Sequence, residues 1–492
     1  MIQEEKDRLD RLEKLRAAQV DPYPTNVSRT HLANEALEHF SSLLEKKTNV
    51  CLVGRIRLLR KHGGLTFGQL QDASGTIQFA LKKDVLGQEA YDFFHETTDV
   101  GDFLQVEGQV FLTKKGEKTV EAAQVRLVSK ALLPLPEKWH GLSDVEARYR
   151  QRELDLLVSA QVRQRFVVRS KLISALRRGF DERGFLEVET PILQPIPGGA
   201  NARPFITHHH ALDADLYLRI APELYLKRLI IGGFEKVYEI GRLFRNEGID
   251  QAHNPEFTTI EAYWAFAEKE PFIQTLEEVL RQVIETATGG LRVSHEGTAI
   301  DFGAAWPRLT FREAVIQACG IDIDAVQTPE EVQRAASQAG LAIDFSRCVG
   351  IGETTDELFK KTARASIEQP TWILDYPTQL KPLARQRPDD PSKSASIQLI
   401  VKGQEIVNAY YHELNDPQEQ RRRFVEQQTL REQGSDVAQY MDEDFLRALA
   451  HGMPPTSGVG IGIDRLVAFL TDAPNLKEII LFPMLRPVRE DE

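Results

Sequence analysis

Cysteine is scarce in this chain, and long apolar runs are missing. Its three cysteines, Cys51, Cys319 and Cys348, lie far apart and form no Cys-x-x-Cys pair. A structural zinc site or a disulfide framework is therefore not expected. The scarcity of cysteine predicts a location in the reducing cytoplasm instead. No apolar run reaches about 18 residues and the first residues are charged throughout, so the sequence predicts neither a membrane span nor a signal peptide.

The chain also lacks an excess of positive charge. Its formal net charge is −12 at pH 7, with 42% hydrophobic and 27% charged residues, as in ordinary globular proteins. This balance excludes a protein that is basic all over, but it leaves room for a local basic face that binds nucleic acid. A length of 492 residues predicts roughly two to four domains.

Residues 1–22 predict a short amphipathic helix. Leu9, Leu12 and Leu15 recur at helical spacing among charged residues. The preferred interpretation is that this apolar stripe packs on a larger body. Contact between the charged face and a polyanion is the alternative.

Residues 48–133 have the pattern of a small β-barrel. Five short strand patterns follow one another, and Asp72 to Gly75 has the composition of a tight turn. Five short antiparallel strands predict a closed barrel of the OB type, in other words an oligonucleotide-binding fold.

Three side chains of this barrel are candidates for contact with nucleic-acid bases. Alternation along 76–81 turns the apolar side chains inward and Gln78 outward, beside Phe67 and Arg60. Such a trio suits base stacking and base-edge hydrogen bonds. The strand pattern alone favours the other interpretation, with Phe67 in the core and Gln78 solvated.

Beyond the barrel, residues 134–158 form a proline-rich joint that becomes helical, and they are predicted as a linker. Residues 159–492 then have a mixed α/β pattern, with a mainly helical insertion at about 268–369. Thr328 and Pro329 are predicted as an N-cap and a first-turn residue in that insertion.

The second region contains a hairpin pattern with many unlike polar groups. Strands are predicted at 237–245 and 256–264. Arg245 and Glu247 close the first strand, and His253, Phe257 and Glu261 follow at intervals of four, which is the spacing of one strand face. Burying so many polar groups without partners costs free energy, so this face is interpreted as the lining of a ligand site. A salt-bridged hairpin surface is the alternative.

Two further segments accompany this hairpin. Arg183 to Leu193 predicts a helix that ends at Gly184, followed by a strand that a proline interrupts. In the other, Gly458, Gly460 and Gly462 alternate along a strand before Asp464 and Arg465 open an apolar helix. Side-chain-free positions on one strand face permit the close approach of a flat ligand, and an arginine at the helix start can reach phosphate.

Together, the three segments resemble motifs 1, 2 and 3 of the class II aminoacyl-tRNA synthetases, in order and with the usual separations. Motif 2 is matched by Phe244-Arg245-x-Glu247 and by His253-x-x-x-Phe257-x-x-x-Glu261. A preceding barrel is typical of the lysine, aspartate and asparagine enzymes, and long runs such as "LYLRIAPELYLKRL" are similar to lysyl-tRNA synthetases.

The resemblance implies an α+β protein: a five-stranded OB-type anticodon barrel, and an antiparallel-sheet catalytic domain with a helical insertion. It implies ATP-dependent ligation of L-lysine to tRNA(Lys) through a lysyl-adenylate, with Mg²⁺ bound together with ATP. It also implies a cytoplasmic homodimer that does not associate with a membrane. The same chemistry on another amino acid, and a catalytically weakened tRNA- or protein-binding paralogue, are the alternatives.

Site residues follow from the same resemblance. The catalytic set is Arg245, Glu247 and Arg465. The ATP set is Arg245, His253, Asn254, Phe257, Glu405 and Arg465. The lysine set is Gly199, Glu223, Glu261, Tyr263, Asn408, Tyr410 and Glu413. The anticodon set is Arg60, Phe67 and Gln78, which reverses the interpretation of Phe67 and Gln78 that the strand pattern alone favours.

Two positions depart from the family pattern. The family has a glutamate seven residues before Glu405, and the two acids share magnesium, whereas this chain has Gln398 there. The family's lysine-binding glutamate lies four residues after the asparagine, whereas Glu413 lies five after Asn408 and His412 takes the fourth place. A β-bulge near Tyr410 and Tyr411 is expected to return Glu413 to the pocket, since His412 supplies no anion for an ammonium group.

Overall fold

The structure is a computed structural model that describes residues 3–135, 144–248, 253–435 and 437–487. The chain separates into two compact units, Met1–Ser143 and Asp144–Glu492. Of the predicted linker, residues 136–143 lie outside the described residues, and the rest of its second half is helical. Across the described ranges, no helix has the length and apolar character needed to cross a membrane.

The first unit is a five-stranded closed barrel with short helices. Its helices are α1 (Gln3–Ala17), α2 (Ala33–Glu38), α3 (Phe40–Glu45), α4 (Lys83–Leu86) and α5 (Gln88–Thr97). Its strands are β1 (Asn49–His62), β2 (Leu65–Gln71), β3 (Thr76–Lys82), β4 (Phe103–Leu112) and β5 (Lys118–Ser129). They close in the order β1-β2-β3-β5-β4, which confirms the predicted OB-type barrel.

Alternation along the strands builds the barrel core. Ile77, Phe79 and Leu81 of β3 are buried inside, as predicted, together with apolar residues of the other strands. Helix α1 buries Leu12 and Leu15, so the N-terminal helix packs along its apolar stripe.

The second unit is built on a large sheet. Its helices are α6 (Val145–Arg150), α7 (Arg152–Val158), α8 (Ala160–Asp181), α9 (Glu223–Ile231), α10 (Lys269–Thr288), α11 (Phe311–Cys319), α12 (Pro329–Gln338), α13 (Gly350–Phe359), α14 (Pro417–Glu432), α15 (Glu443–Leu449) and α16 (Ile463–Leu470). Its strands are β6 (Leu186–Glu187), β7 (Leu193–Gln194), β8 (Ile206–His209), β9 (Ala214–Leu218), β10 (Lys236–Phe244), β11 (Glu256–Ala265), β12 (Arg292–His295), β13 (Thr298–Asp301), β14 (Arg308–Thr310), β15 (Thr371–Leu374), β16 (Ser396–Val401), β17 (Gln404–Tyr410) and β18 (Thr456–Gly462).

Eight of these strands form one sheet, in the order β14-β15-β16-β17-β18-β11-β10-β6. Its central pairs, from β15 to β10, are antiparallel. One face packs on α8, α10 and α16 in a single apolar cluster, which includes Ile260 and Ala262 of β11. Because side chains alternate, Glu261 and Tyr263 of the same strand belong to the opposite face. That second face carries the candidate site.

The predicted elements around the three motifs are present. The predicted hairpin is β10 and β11, and the glycine strand and its helix are β18 and α16. Helix α8 ends at Asp181 rather than at Gly184, which adopts a left-handed φ of 77° just beyond it. Thr328 caps α12 with Pro329 in the first turn, as predicted.

Candidate active site

The floor of the site is a row of residues that crosses four strands. Gln398 of β16 pairs with Asn408 of β17, Asn408 with Gly460 of β18, and Gly460 with Glu261 of β11. Neighbouring strands lie about 4.8 Å apart, so Asn408 and Glu261 stand about 10 Å apart with only a glycine between them. A Cβ at Gly460 would meet nothing closer than 3.8 Å, so the absent side chain leaves open space above the sheet.

A cavity of about 320 Å³ lies above this row. It is lined by every residue that the sequence predicts for catalysis and for binding of ATP, lysine and metal: Gly199, Glu223, Arg245, Glu247, His253, Asn254, Phe257, Glu261, Tyr263, Gln398, Glu405, Asn408, Tyr410, Glu413 and Arg465. A second cavity of about 1010 Å³ shares part of this wall, including Arg245, Glu405 and Arg465. The strand-face argument is wrong for His253, which precedes β11, although His253 does line both cavities.

Two irregularities in one segment turn its polar side chains toward the cavity. Ile400 pairs with Glu405 but Leu399 pairs with Val407, so Ile406 is an extra residue on β17. This β-bulge places Glu405 and Asn408 on the same face although they are three residues apart.

The second irregularity follows Tyr410. The backbone N–H groups of Tyr411 and His412 both donate to the Ala395 carbonyl, at 2.9 and 3.4 Å. Two residues against one is a β-bulge, one residue later than expected from the sequence. It returns Glu413 to the cavity, where it is 2% exposed. His412 is half-buried beside Arg385 and Lys269 instead.

Glu413 lies in a group of acidic side chains at one end of the cavity. Lys227 Nζ lies 2.6 Å from Glu413 Oε2 and 2.7 Å from Glu223 Oε1. A Cβ at Gly458 would come within 2.1 Å of Glu413 Oε1, so this glycine makes room for the carboxylate. Burial raises the pKa of the Glu413 carboxyl, against the attraction of Lys227.

Glu261 completes this acidic end. Burial, and then the charge of Glu223, raise the pKa of Glu261 to about 8. Tyr263 donates a hydrogen bond to Glu261 at 3.3 Å. Gly199, at a left-handed φ of 86°, backs against Glu223, since a Cβ there would lie 2.9 Å from the Glu223 Cβ. Two carboxylates thus share the ammonium group of Lys227 while Glu261 lies near Glu223, and a cationic ligand would balance the surplus of acidic groups.

The other end of the cavity is cationic. The Arg245 guanidinium lies 5.0 Å from the centroid of the Phe257 ring, and Arg465 Nη1 lies 3.8 Å from Glu405 Oε1. Burial opposes ionisation of Glu405, but Arg465 and then Lys381 outweigh it and hold the Glu405 pKa below its ordinary value. This arrangement of arginine, aromatic ring and carboxylate suits a nucleotide.

A buried aspartate at the start of α16 in motif 3 holds strand β11 of motif 2 in place. Asp464 accepts hydrogen bonds from Arg169 Nη1 at 2.6 Å and from the backbone N–H of Thr258 at 3.1 Å. Since Thr258 is next to Phe257 and Asp464 is next to Arg465, this contact sets the spacing of these two residues of the predicted ATP set.

The magnesium site expected at Gln398 and Glu405 fits only in part. Glu405 offers an ionised carboxylate to the cavity, which suits a hard cation. The Gln398 carbonyl oxygen instead accepts a hydrogen bond from Tyr376 at 2.5 Å, and its amide donates to Asn408 at 3.0 Å. Among the described residues, no three His, Cys, Asp or Glu side chains converge as metal ligands. A second carboxylate-held ion therefore does not fit.

On the barrel, the three predicted base-reading residues share the outer face. Arg60 pairs with Phe67 across β1 and β2, and Phe67 with Ala80, two residues from Gln78. Phe67 is half-buried on this face, not in the core, and Arg60 is exposed. Gln78 donates a hydrogen bond to Thr119 at 2.8 Å rather than pointing freely to solvent.

The sequence predictions miss two lysines that line or support the cavity. Lys227 carries a visible signal, because it lies four residues after Glu223 on α9, the spacing of a helical ion pair. Lys381 lies in a loop without any periodic pattern, so nothing in the sequence points to it.

Comparisons with known proteins agree with this geometry. Residues 144–486 match the family described as tRNA synthetases class II (D, K and N), and residues 50–128 match an OB-fold nucleic acid binding domain. A Roseiflexus castenholzii protein named Lysine--tRNA ligase is 48% identical over 98% of each chain. Proteins of the same name from Carboxydothermus hydrogenoformans and Moorella thermoacetica are 46% and 47% identical, again over 98% of each chain. By these matches, this chain belongs to the class II tRNA synthetases of the D, K and N group.

Proposed function

We propose that this protein is a lysine–tRNA ligase, which activates L-lysine with ATP and transfers it to tRNA(Lys). The observation that carries the proposal is the acidic end of the cavity, where Glu223 and Glu413 hold Lys227 and the neighbouring Glu261 has no ion pair within the described residues. Once Glu261 is ionised, the three carboxylates exceed the charge of Lys227 by two, and lysine brings two ammonium groups. The names of the relatives, all Lysine--tRNA ligase, support the same substrate.

Lysine would lie along the row between β17 and β11. Glu261, Tyr263 and Glu413 would receive the side-chain ammonium, and Gly199 and Glu223 the α-ammonium. The α-carboxylate would then lie beside Asn408, with Tyr410 as a wall. A separation of about 10 Å between Asn408 and Glu261 suits an extended lysine with a hydrogen bond at each end.

ATP would occupy the cationic end. Phe257 and Arg465 would hold the adenine, and Arg465, His253 and Asn254 the triphosphate. Glu405 would hold one magnesium ion, which, when bound, supplies positive charge at the phosphates.

The reaction needs no side-chain nucleophile. A carboxylate oxygen of lysine attacks the α-phosphorus, a phosphorus–oxygen bond forms, and pyrophosphate leaves from the opposite side with its electron pair. Arg245, whose charge interacts with that of Glu247, would bridge the lysine carboxylate and the α-phosphate. Its positive charge would offset the negative charge that develops at the phosphate. The terminal ribose hydroxyl of the tRNA then attacks the lysyl carbonyl and releases AMP.

The assay that tests this proposal is ATP–pyrophosphate exchange with each of the twenty amino acids, followed by charging of tRNA(Lys). Lysine-dependent exchange and charging are expected. Exchange with a different amino acid alone would contradict lysine specificity, and exchange with none would favour a tRNA- or protein-binding role.

A pH dependence of lysine binding follows from Glu261. With a pKa of about 8 in the free site, the Glu261 carboxyl is largely protonated at pH 6 and must lose that proton to pair with an ammonium group. Lysine affinity is therefore expected to rise about tenfold per pH unit between about pH 6 and 8 and then to level. Titration calorimetry in buffers of different ionisation enthalpy measures the released proton.

The Glu261→Gln variant is the control, because it has no carboxyl at this position and should lose the share of the slope and of the proton release that Glu261 contributes, while Glu413, whose pKa is also raised, is retained. Lysine binding to the unaltered protein without proton release, at constant affinity from pH 6 to 8, would contradict the assignment.

The outer face of the barrel would bind the anticodon of the tRNA. Replacing Phe67 by alanine is expected to raise KM for tRNA by about 5- to 100-fold, because stacking on one aromatic side chain contributes about 1–3 kcal/mol per base. Pyrophosphate exchange without tRNA should not change. Phe93→Ala, a half-buried phenylalanine on helix α5 rather than on the barrel strands, is the matched control, and an equal loss in both variants would contradict base stacking on Phe67.

We further propose a homodimer. Large apolar side chains are exposed around the motif 1 segment and the small sheet after it: Val167, Leu186, Ile192, Leu193, Ile206 and Leu212. Exposed apolar side chains at this density are typical of a surface that another chain covers.

A further inference from the structure

A buried lysine that pairs with no carboxylate of the described residues lies at the wall shared by the two cavities. Lys381 is 9% exposed, and its Nζ lies 4.8 Å from the centroid of the Tyr376 ring. Its Nζ donates a hydrogen bond to Asn408 Oδ1 at 2.9 Å, and within the described residues no carboxylate oxygen lies within 4.0 Å of it. Lys227 differs, since two carboxylates hold it at 2.6 and 2.7 Å.

This difference decides which lysine is available to a ligand. An ammonium group in a poorly hydrated site is costly unless an anion meets it. The charge of Lys227 is already matched. The charge of Lys381 is met only at longer range, chiefly by Glu405, and burial holds the pKa of Lys381 below its ordinary value. The unmatched ammonium faces the open cavity.

The donor-only chemistry of Lys381 also fixes the orientation of its neighbours. An ammonium group accepts no hydrogen bond, so the Asn408 atom that faces it must be the carbonyl oxygen. Gln398 also faces this oxygen, at 3.0 Å, and must do so with its amide nitrogen. Its own oxygen therefore receives the Tyr376 hydroxyl, at 2.5 Å. The Asn408 amide Nδ2 carries two hydrogens: one is directed to the Tyr410 hydroxyl, and the other remains for a ligand in the cavity that Asn408 lines.

We propose that Lys381 and Asn408 together bind the α-carboxylate of the amino acid substrate, with the ammonium of Lys381 as the charged partner. The two donors are adjacent and lie on the β17 side of the cavity, opposite the acidic end. The uncharged Gln398 is required beside them, because a carboxylate at this position would pair with Lys381 and consume its charge. This inference rests on the proposed function and adds a specificity residue to it.

The test compares two ligands on three proteins by titration calorimetry. The ligands are L-lysine and lysinamide, in which a neutral amide replaces the carboxylate. The proteins are the unaltered chain, Lys381→Met and the control Lys393→Met. Lys393 is also buried, but it pairs with Asp324 and lies outside both cavities. Each ratio compares two proteins with one ligand, so the ionisation of the ligand itself cancels.

Lys381→Met is expected to weaken lysine binding by about 10- to 100-fold, the range for loss of one hydrogen bond between charged groups. Its binding of lysinamide and of a non-hydrolysable ATP analogue should change by less than about threefold, and the ATP analogue also verifies the fold. Lys393→Met should bind lysine as the unaltered protein does.

Three results would overturn the inference. They are unchanged lysine binding by Lys381→Met, an equal loss for lysine and lysinamide, and a loss confined to the ATP analogue, which would assign Lys381 to a phosphate. If the unaltered protein binds no lysine, the proposed function fails and this inference with it. If it binds lysine and Lys381→Met binds lysine equally well, only this inference fails.

Discussion

Replacing Arg245 by alanine is expected to lower kcat/KM for lysine-dependent pyrophosphate exchange by about 10³-fold. The Arg245 guanidinium lies over Phe257 and lines both cavities, at the junction of the cationic and acidic ends. The charge that develops at the α-phosphate would therefore lose its fixed counter-charge.

Arg242→Ala is the matched control for this prediction. Arg242 is on the same hairpin strand, 47% exposed in its side chain, and forms an ion pair with Glu256 at 3.0 Å. An exposed pair of this kind contributes about 0–1 kcal/mol, so exchange should stay within about fivefold of the unaltered enzyme. Equal losses in the two variants, or an Arg245→Ala enzyme with nearly full exchange, would contradict a direct role for Arg245 in the reaction.

Replacing Glu261 by glutamine is expected to lower kcat/KM for lysine by about 10²- to 10³-fold, while ATP binding is retained. The substitution keeps the shape of the side chain but leaves a desolvated ammonium without its anion, which costs about 3–5 kcal/mol. The measurement is the exchange rate at varied lysine, with ATP affinity determined separately on the same variant. A lysine KM unchanged by the substitution would contradict the assignment of Glu261.

Glu256→Gln, at the start of the same strand, controls for this change. Glu256 is 45% exposed in its side chain and pairs with Arg242 rather than with the cavity. We expect its exchange kinetics to match those of the unaltered protein.

The sequence predicts the elements around the site well, because their patterns are local. Alternating polar residues in the hairpin that carries Arg245 and Glu261, and the glycines at 458, 460 and 462, identify β10, β11 and β18. These strands lie next to each other as the order β18-β11-β10, and this brings the residues of distant motifs into one cavity.

Register and side-chain partners are less predictable. The extra residue before Glu413 predicts some bulge, but not that Tyr411 and His412 share the Ala395 carbonyl. Nothing in the sequence indicates the bulge at Ile406, which aligns Glu405 with Asn408. Both depend on pairing between strands, which is a tertiary property.

Gln398 and Lys381 illustrate a further limit. From the sequence, Gln398 is a weakened metal ligand that still offers a carbonyl oxygen. In the structure, that oxygen accepts a hydrogen bond from the Tyr376 hydroxyl. The neighbouring positive charge comes from Lys381, which lies in a separate segment of the chain and is part of no sequence motif. A substitution at one position of a polar network can be interpreted only when the other members are known.

The central claim is that the acidic end of the cavity selects the side-chain ammonium of lysine. Pyrophosphate exchange with lysine and with norleucine, which is similar in size but lacks that ammonium, tests the claim most directly. The account predicts a kcat/KM for lysine at least about 10³-fold above that for norleucine, because norleucine would bring no ammonium group to Glu261 at the acidic end. Similar values for the two amino acids, or a preference for norleucine, would contradict it.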